Sequence, residues 1–215
     1  AICLHLAPFN DKPQPVGEAI IDSMFPDSAT GRIPLIVVVG SPVPGELQSF
    51  AEVGKCAGRI NAVSTSTLTQ IQNRKVLPRT DRPFDRLAAM NLHPRTTGSC
   101  LAASAESLLA NGLGSDHCQM LILADSSRIT PNLESELDGL LLRLLSICET
   151  CLVNCDDPVW VTRVTPGEPS VVLVSTTLDP LLRRHLDAGG RIITRDGDDL
   201  VLRSGVGELI RCPAP

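Results

Sequence analysis

Short apolar runs recur along the chain, and stretches with helical spacing separate them. The first run, Ile33-Pro-Leu-Ile-Val-Val-Val-Gly40, ends at a glycine, and residues 46–57 then place apolar side chains at helical intervals. A strand that is apolar at every position is buried on both faces, as strands of parallel sheets are. The alternation of such strands with helices predicts an α/β protein, with a mainly parallel sheet and helices on both faces.

The same periodicities predict the remaining elements. Further strands are predicted over residues 60–65, 119–125, 151–154 and 171–175. Residues 68–76 are ambiguous and are compatible with a short hairpin, and a final small hairpin is predicted to pair 191–195 with 200–203. Helices are predicted over residues 16–25, 46–57, 84–92, 100–111, 133–148 and 180–188. Residues 213–215 are expected to end the chain without an element.

Composition excludes several classes of function. The 215 residues carry a net charge of −5 with 2% aromatics and no tyrosine, which argues against a nucleic-acid surface. The apolar runs are shorter than the roughly 20 residues of a membrane helix, and Ala1-Ile-Cys-Leu-His5 does not open a signal peptide. We therefore expect a cytoplasmic protein with neither nucleic acid nor membrane as a partner.

Eight cysteines lie mostly within apolar or helical runs, where reduced cysteine behaves as a small hydrophobic residue. The spacing Cys148-x-x-Cys151-x-x-x-Cys155 is compatible with metal binding. It lacks the second CxxC or the histidine pair that makes a zinc site legible in a sequence. The prediction is therefore buried thiols and no metal site.

Several segments in chain order resemble the Mur-ligase-like central part of cyanophycin synthetases. Gly112-Leu-Gly-Ser-Asp-His-Cys118 is similar to that family's Gly-Leu-Gly-x-Asp-x-Cys run, and Val153-Asn-Cys-Asp-Asp-Pro158 to its Asn-Ala-Asp-Asp-Pro element. The other matching segments are residues 5–8, 15–22, 24–26, 31–34 and 185–190. The resemblance implies a three-layer Mur-ligase central domain at residues 33–215, preceded by a linker and lead-in helix at 1–32.

The family's phosphate-binding loop is not preserved. Its Thr-Gly-Thr-Asn-Gly-Lys-Thr-Thr falls on Val39-Gly-Ser-Pro-Val-Pro-Gly-Glu46, where Gly40 survives and the lysine position holds Pro44. Lysine contacts the β- and γ-phosphates in such loops, and prolines remove backbone donors. Gly45 or Glu46 stands where the family has its Mg²⁺-binding threonine.

Three further positions depart from the family. Its Mg²⁺-binding glutamate falls on Ala102, the histidine after the next strand has no counterpart in residues 124–130, and residues 133–148 contain no lysine. Without Mg²⁺ ligands, little neutralises the transferring phosphate. The sequence also stops near where the family's C-terminal lobe would begin, as in the shorter, second type of cyanophycin synthetase.

The resemblance thus predicts a degenerate, non-catalytic domain that supports the architecture or the oligomer of an ATP-dependent peptide ligase. In such a protein an upstream ATP-grasp domain joins β-aspartyl-arginine units and uses ATP and Mg²⁺, while this domain needs no cofactor. Implied partners are the ATP-grasp domain, further copies of the chain and the cyanophycin polymer. The alternative is an active Mur-type amide ligase that adds arginine to a poly-aspartate chain through altered phosphate contacts.

No catalytic residue is predicted, and the candidates for a vestigial nucleotide side are Gly40, Asn154 and Asp157. The Asp-Asp-Pro sequence is also ordinary turn chemistry, and that interpretation is favoured for Asn154, Asp156 and Asp157. Glu106 is expected to be a solvated helix position. Of the four histidines, His93, His117 and His185 show no triad spacing. For the arginines Arg79, Arg82 and Arg86, a solvated loop is favoured over a surface that meets an anionic partner.

Overall fold

The structure, a computed structural model, describes residues 33–40, 60–72, 74–76, 82–124, 126, 129, 133–205 and 207–213. The chain divides into two compact units, Ala1–Ile33 and Pro34–Pro215, and every described element lies in the second. The helices predicted over residues 16–25 and 46–57 lie outside the described residues.

Eleven strands of the described residues form one mixed sheet. They are β1 Leu35–Val39, β2 Ala62–Ser64, β3 Thr69–Ile71, β4 Arg74–Lys75, β5 Ser99–Ala103, β6 Cys118–Leu123, β7 Cys148–Asn154, β8 Val171–Ser175, β9 Arg191–Asp196, β10 Asp199–Ser204 and β11 Gly207–Pro213. Their order is β11-β10-β9-β8-β7-β6-β1-β5-β2-β3-β4. The seven strands from β9 to β2 are parallel, and an antiparallel pair of strands extends the sheet at each end.

The described helices pack against one face of this sheet. They are α1 Pro83–Asn91, α2 Ala105–Asn111, α3 Glu134–Ile147, α4 Pro158–Val161 and α5 Pro180–Asp187. Their buried apolar side chains join Val37 and Val39 in one cluster, whereas Val38 and Cys100 belong to a second cluster on the opposite face. From β2 onward every parallel crossover moves in the same direction along the sheet, so right-handed connections place these helices on one side. No described helix is long and apolar enough to cross a membrane.

The predicted fold class is confirmed: this is an α/β protein with a mainly parallel sheet and a C-terminal hairpin of β9 and β10. The helices of the described residues cover one face, so the predicted second helical layer stays a prediction. The predicted strands and the hairpin within 68–76 are present with shifted ends.

One predicted helix was wrong at its first turn, because residues 99–103 form β5 and the helix begins only at Ala105. All five residues of β5 are buried between β1 and β2, and pairing on both sides outweighs the helix propensity of alanine. Ser104 then caps α2 by accepting a hydrogen bond from the Ser107 N–H.

The sequence pattern also missed β11, which begins at Gly207 and is exposed along its length. It pairs antiparallel with β10, and Arg211 ties it to β9 and β10 through ion pairs with Asp196 and Asp199. Arg211 also pairs with Glu208 of the same strand. An exposed strand without an apolar face shows no alternation of apolar and polar residues in the sequence. Only its pairing with β10 in the structure identifies it as a strand.

His185 is a buried structural histidine on α5. Its Nδ1 accepts a hydrogen bond from the Gly167 N–H at 2.9 Å, and its Nε2 lies 3.3 Å from the Val171 carbonyl oxygen. Because Nδ1 accepts, the proton belongs on Nε2, which donates to Val171. A side chain at Gly190 would overlap the imidazole, so Gly190 makes room for the ring. Burial lowers the pKa of His185, since the charged form would lose hydration.

We expect the free energy of unfolding to fall as the pH drops below about 6.5, the ordinary pKa of histidine. In that range the unfolded chain binds a proton at His185 while the folded chain, with its lowered pKa, does not. The stability that neutral His185 contributes is complete above its pKa in the unfolded chain, and it is lost as the pH falls toward its pKa in the folded chain. Urea unfolding at stepwise lower pH measures this slope.

His185→Gln keeps one donor and one acceptor without titrating, and should flatten the slope. The matched control His93→Gln, at a partly exposed position, should leave it unchanged. An equal slope in His185→Gln and the parent chain would contradict the assignment.

Candidate functional site

The carboxyl ends of β1, β6, β7 and β8 meet at one edge of the sheet, which is where open α/β sheets bind ligands. Gly40 follows β1 directly and is buried, with a φ of 143° that favours glycine. Its N–H donates to the Ala103 carbonyl at 3.1 Å, and the Ala124 N–H donates to the Val39 carbonyl at 3.0 Å. The first turn after β1 is therefore fixed to the strands on either side.

Asp157 is the most buried acidic group at this edge, with 7% of its surface exposed. Its Oδ2 accepts from the Ser126 N–H and its Oδ1 from the Ser126 hydroxyl, both at 2.7 Å. Oδ1 also accepts from the Val159 N–H at 3.0 Å, which makes Asp157 the N-cap of α4. The carboxylate thus joins the chain after β6 to the chain after β7.

Two neighbouring side chains make further bonds of the same kind. The Asn154 Nδ2 donates to the Ala124 carbonyl oxygen at 3.4 Å, and the Asn154 Oδ1 accepts from the Asp156 N–H at 3.1 Å. The exposed Asp156 accepts from the Ser175 hydroxyl at 3.0 Å. These contacts link the ends of β6, β7 and β8 into one polar network.

The network leaves little capacity for a ligand at Asp157. A carboxylate has about four lone-pair sites, and three of those of Asp157 already accept protein donors. The arrangement suits a turn and a helix cap, and the more exposed Asn154 and Asp156 are the groups that a ligand would reach. The structure brings Gly40, Asn154 and Asp157 to one edge of the sheet. That these residues form a nucleotide side stays a prediction.

The positions that would carry phosphate and Mg²⁺ chemistry contain no suitable side chain in the described part of the chain. Residues 41–46 lie outside it. Ala102 lies within β5, is 3% exposed, and its carbonyl oxygen accepts a hydrogen bond from Arg86 at 3.0 Å. Lys75, the one lysine among the described residues, is on β4, four strands from β1, or about 19 Å at ordinary strand spacing.

The expectation of a solvated arginine loop was wrong for Arg86, which is 1% exposed. It lies on α1, whose inner face also buries Leu87 and Met90, and the helix carries its guanidinium to the end of β5. Arg82 is exposed, and Arg79 lies outside the described residues.

The other candidates lie apart from this edge or have structural partners. Glu106 lies in the first turn of α2 and is half-buried, so it is less exposed to solvent than the sequence analysis expected. His117 forms an ion-pair contact with Glu149 at 3.2 Å, near the amino ends of β6 and β7. Within the described ranges no three His, Cys, Asp or Glu side chains converge as a metal site would require.

Sequence reasoning missed Ser126 and Ser175, which hold the two adjacent aspartates. Ser126 follows β6 and Ser175 ends β8. Their positions at the ends of buried strands were the sequence signal that could have identified them. Which serine meets which aspartate depends on the strand order β8-β7-β6, and short-range sequence patterns do not contain that order.

Comparison with known proteins supports the fold. The structure is similar to the solved structure of UDP-N-acetylmuramoyl-L-alanyl-D-glutamate--2,6-diaminopimelate ligase, with a TM-score of 0.56 and 19% sequence identity. The match covers 82% of this chain and 38% of that ligase chain, so the chain spans well under half of its length. No protein-family model and no curated protein matches the chain. The chain therefore has a Mur-ligase-like fold.

Removing the Asp157 side chain should destabilise the fold, because it leaves the α4 cap and the Ser126 donors without their acceptor. For Asp157→Ala we expect a loss of about 1–3 kcal/mol in unfolding free energy. A double-mutant cycle with Ser126→Ala, measured by urea unfolding, should give a coupling energy of at least about 0.5 kcal/mol.

Asp156→Ala is the matched control. Its carboxylate is exposed and makes one side-chain bond, so its loss should cost under about 1 kcal/mol. Additive effects of Asp157→Ala and Ser126→Ala would show that the network does not hold these two strand ends together.

Proposed function

We propose that this chain is a non-catalytic Mur-ligase-like domain, which supports the architecture and self-association of a cyanophycin-synthetase-type peptide ligase. The ligation itself belongs to an ATP-grasp domain outside this chain, which would use ATP and Mg²⁺. The Mur-like domain would need no cofactor of its own, and the cyanophycin polymer is a further partner that it could contact.

One observation carries this proposal: the polar groups at the carboxyl edge of the sheet are engaged in joining strand ends. Asp157 accepts three hydrogen bonds from the protein, and Ala102 stands buried where the resemblance expects a Mg²⁺ ligand. Among the described residues, the nearest lysine along the sheet is four strands away from β1. An active phosphoryl-transfer site needs cations at the transferring phosphate.

A second observation supports the self-association. β11 is the last strand of the described sheet, and Leu209 and Ile210 are 51% and 58% exposed. An edge strand offers unpaired N–H and C=O groups to another chain. If two copies of β11 pair antiparallel about a two-fold axis between these residues, Leu209 faces Ile210 of the second copy and Glu208 faces Arg211. The strand is thus complementary to itself.

The alternative is an active ATP-dependent amide ligase with altered phosphate contacts. The observation in its favour is the cluster of Asn154, Asp156 and Ser175 at the edge where such sheets bind ligands, together with the buried guanidinium of Arg86 at the end of β5. It requires that these groups, with the residues after Gly40, hold Mg·ATP without the family's lysine.

Calorimetric titration with Mg·ATP separates the two functions. We expect no heat of binding and no thermal shift, because the Arg86 guanidinium at this edge is buried and donates to the Ala102 carbonyl oxygen, and Lys75 is four strands away from β1. A site saturated at 100 times its Kd would add about 2.7 kcal/mol of stability, so a functional site would be visible in the same thermal scan.

Binding that disappears in Asn154→Ala but persists in the control Glu168→Ala, at an exposed position before the amino end of β8 and so at the opposite edge of the sheet, would establish the alternative and refute the non-catalytic function.

Self-association through β11 has its own test. Ile210→Lys places a charge on the exposed edge, a device that natural sheets use against edge pairing. We expect sedimentation equilibrium to show a larger dissociation constant for Ile210→Lys than for the parent chain. Leu142→Lys on α3, at a leucine that is 70% exposed, is the control for added charge. A monomeric parent chain, or equal effects of the two variants, would contradict this interface.

A further inference from the structure

We propose that Cys118 and Cys148 form a redox-active thiol pair, which a low-molecular-weight disulfide converts into an intramolecular disulfide between β6 and β7. The pair lies at the amino ends of these strands, at the opposite end from the polar network of Asp157. This inference does not depend on the proposed function.

The strand register carries the proposal. Cys118 and Cys148 are directly paired in the parallel ladder of β6 and β7. Neighbouring strands are about 4.8 Å apart. A disulfide accommodates Cα separations of about 4.4–6.8 Å. Both side chains pack against the same apolar cluster, so they lie on the same face of the sheet. The two thiols are close enough for each to shift the pKa of the other.

The two thiols differ in the way that an exchange reaction requires. Cys148 is partly exposed where α3 meets β7, whereas Cys118 is fully buried. The neighbouring Cys118 thiol lowers the pKa of Cys148, while the Cys148 thiol and burial raise the pKa of Cys118. The thiolate is the nucleophile in thiol chemistry, so Cys148 is the attacking group and Cys118 the resolving group.

The thiol–disulfide exchange takes place in two steps. The Cys148 thiolate attacks one sulfur of the small disulfide, forms a mixed disulfide and releases the first small thiolate. That thiolate can take the proton of Cys118, whose sulfur then attacks the Cys148 sulfur and expels the second small thiolate. Two protein thiols are oxidised, and one small disulfide is reduced to two thiols.

The bond would enclose α3, because residues 118 and 148 flank the connection from β6 to β7. Cross-linking two strands in this way restricts the unfolded chain and should raise the thermal midpoint of the oxidised form. The third thiol of the region, Cys151, is fully buried three residues further along β7 and is the competing resolving group.

The test treats the full chain with oxidised glutathione and maps its disulfides by mass spectrometry of peptides. We expect a Cys118–Cys148 link in the parent chain, none in Cys148→Ser, and a glutathione adduct retained on Cys148 in Cys118→Ala. Cys212→Ser is the matched control, because Cys212 is exposed and distant on β11 and its loss should leave the link intact.

A measurement on the unaltered chain tests the proposal even if the variants fail to fold. Alkylation by iodoacetamide should modify Cys148 at least several-fold faster than the buried Cys100 and Cys151 of the same sheet. A Cys148–Cys151 link in place of Cys118–Cys148, or a Cys148 that reacts no faster than Cys100, would overturn the proposal.

Discussion

The structure depends on the complete pairing of β1 inside a parallel sheet. Each residue of this strand pairs with β5 on one side and most pair with β6 on the other, so an apolar run can be buried without orphaned backbone groups. Val37 and Val39 point into one apolar cluster and Val38 into the other. The strand order and the right-handed crossovers then bring the carboxyl ends of the parallel strands to one edge.

That shared edge explains how the Mur-ligase-like fold is held together at these strand ends independently of any ligand. The sheet still gathers Gly40, Asn154 and Asp157, but the carboxylate of Asp157 is committed to Ser126 and to the cap of α4. Such bonds stabilise the turn irrespective of any ligand. An edge built this way keeps its fold without a ligand, because hydrogen bonds within the protein already join the strand ends.

The two ends of the strands serve different chemistry. At the carboxyl ends, polar groups hydrogen-bond one another, whereas at the amino ends of β6 and β7 two thiols face each other across the ladder. The antiparallel strands beyond β9 add a third feature, an exposed edge on β11 whose charges are balanced within the strand by Glu208 and Arg211. Each feature results from the register of neighbouring strands, so a single change of register would remove it.

The sequence alone determined the fold class, most elements and the candidates Asn154 and Asp157, because apolar runs and turn residues are local signals. It misassigned residues 99–103, whose alanines favour a helix until β1 and β2 pair with them on both sides. Burial of Arg86, the partner Ser126 of Asp157 and the pairing of Cys118 with Cys148 were decided by tertiary structure alone. Those contacts join residues about 16–31 positions apart, and only the order of strands in the sheet fixes which of them meet.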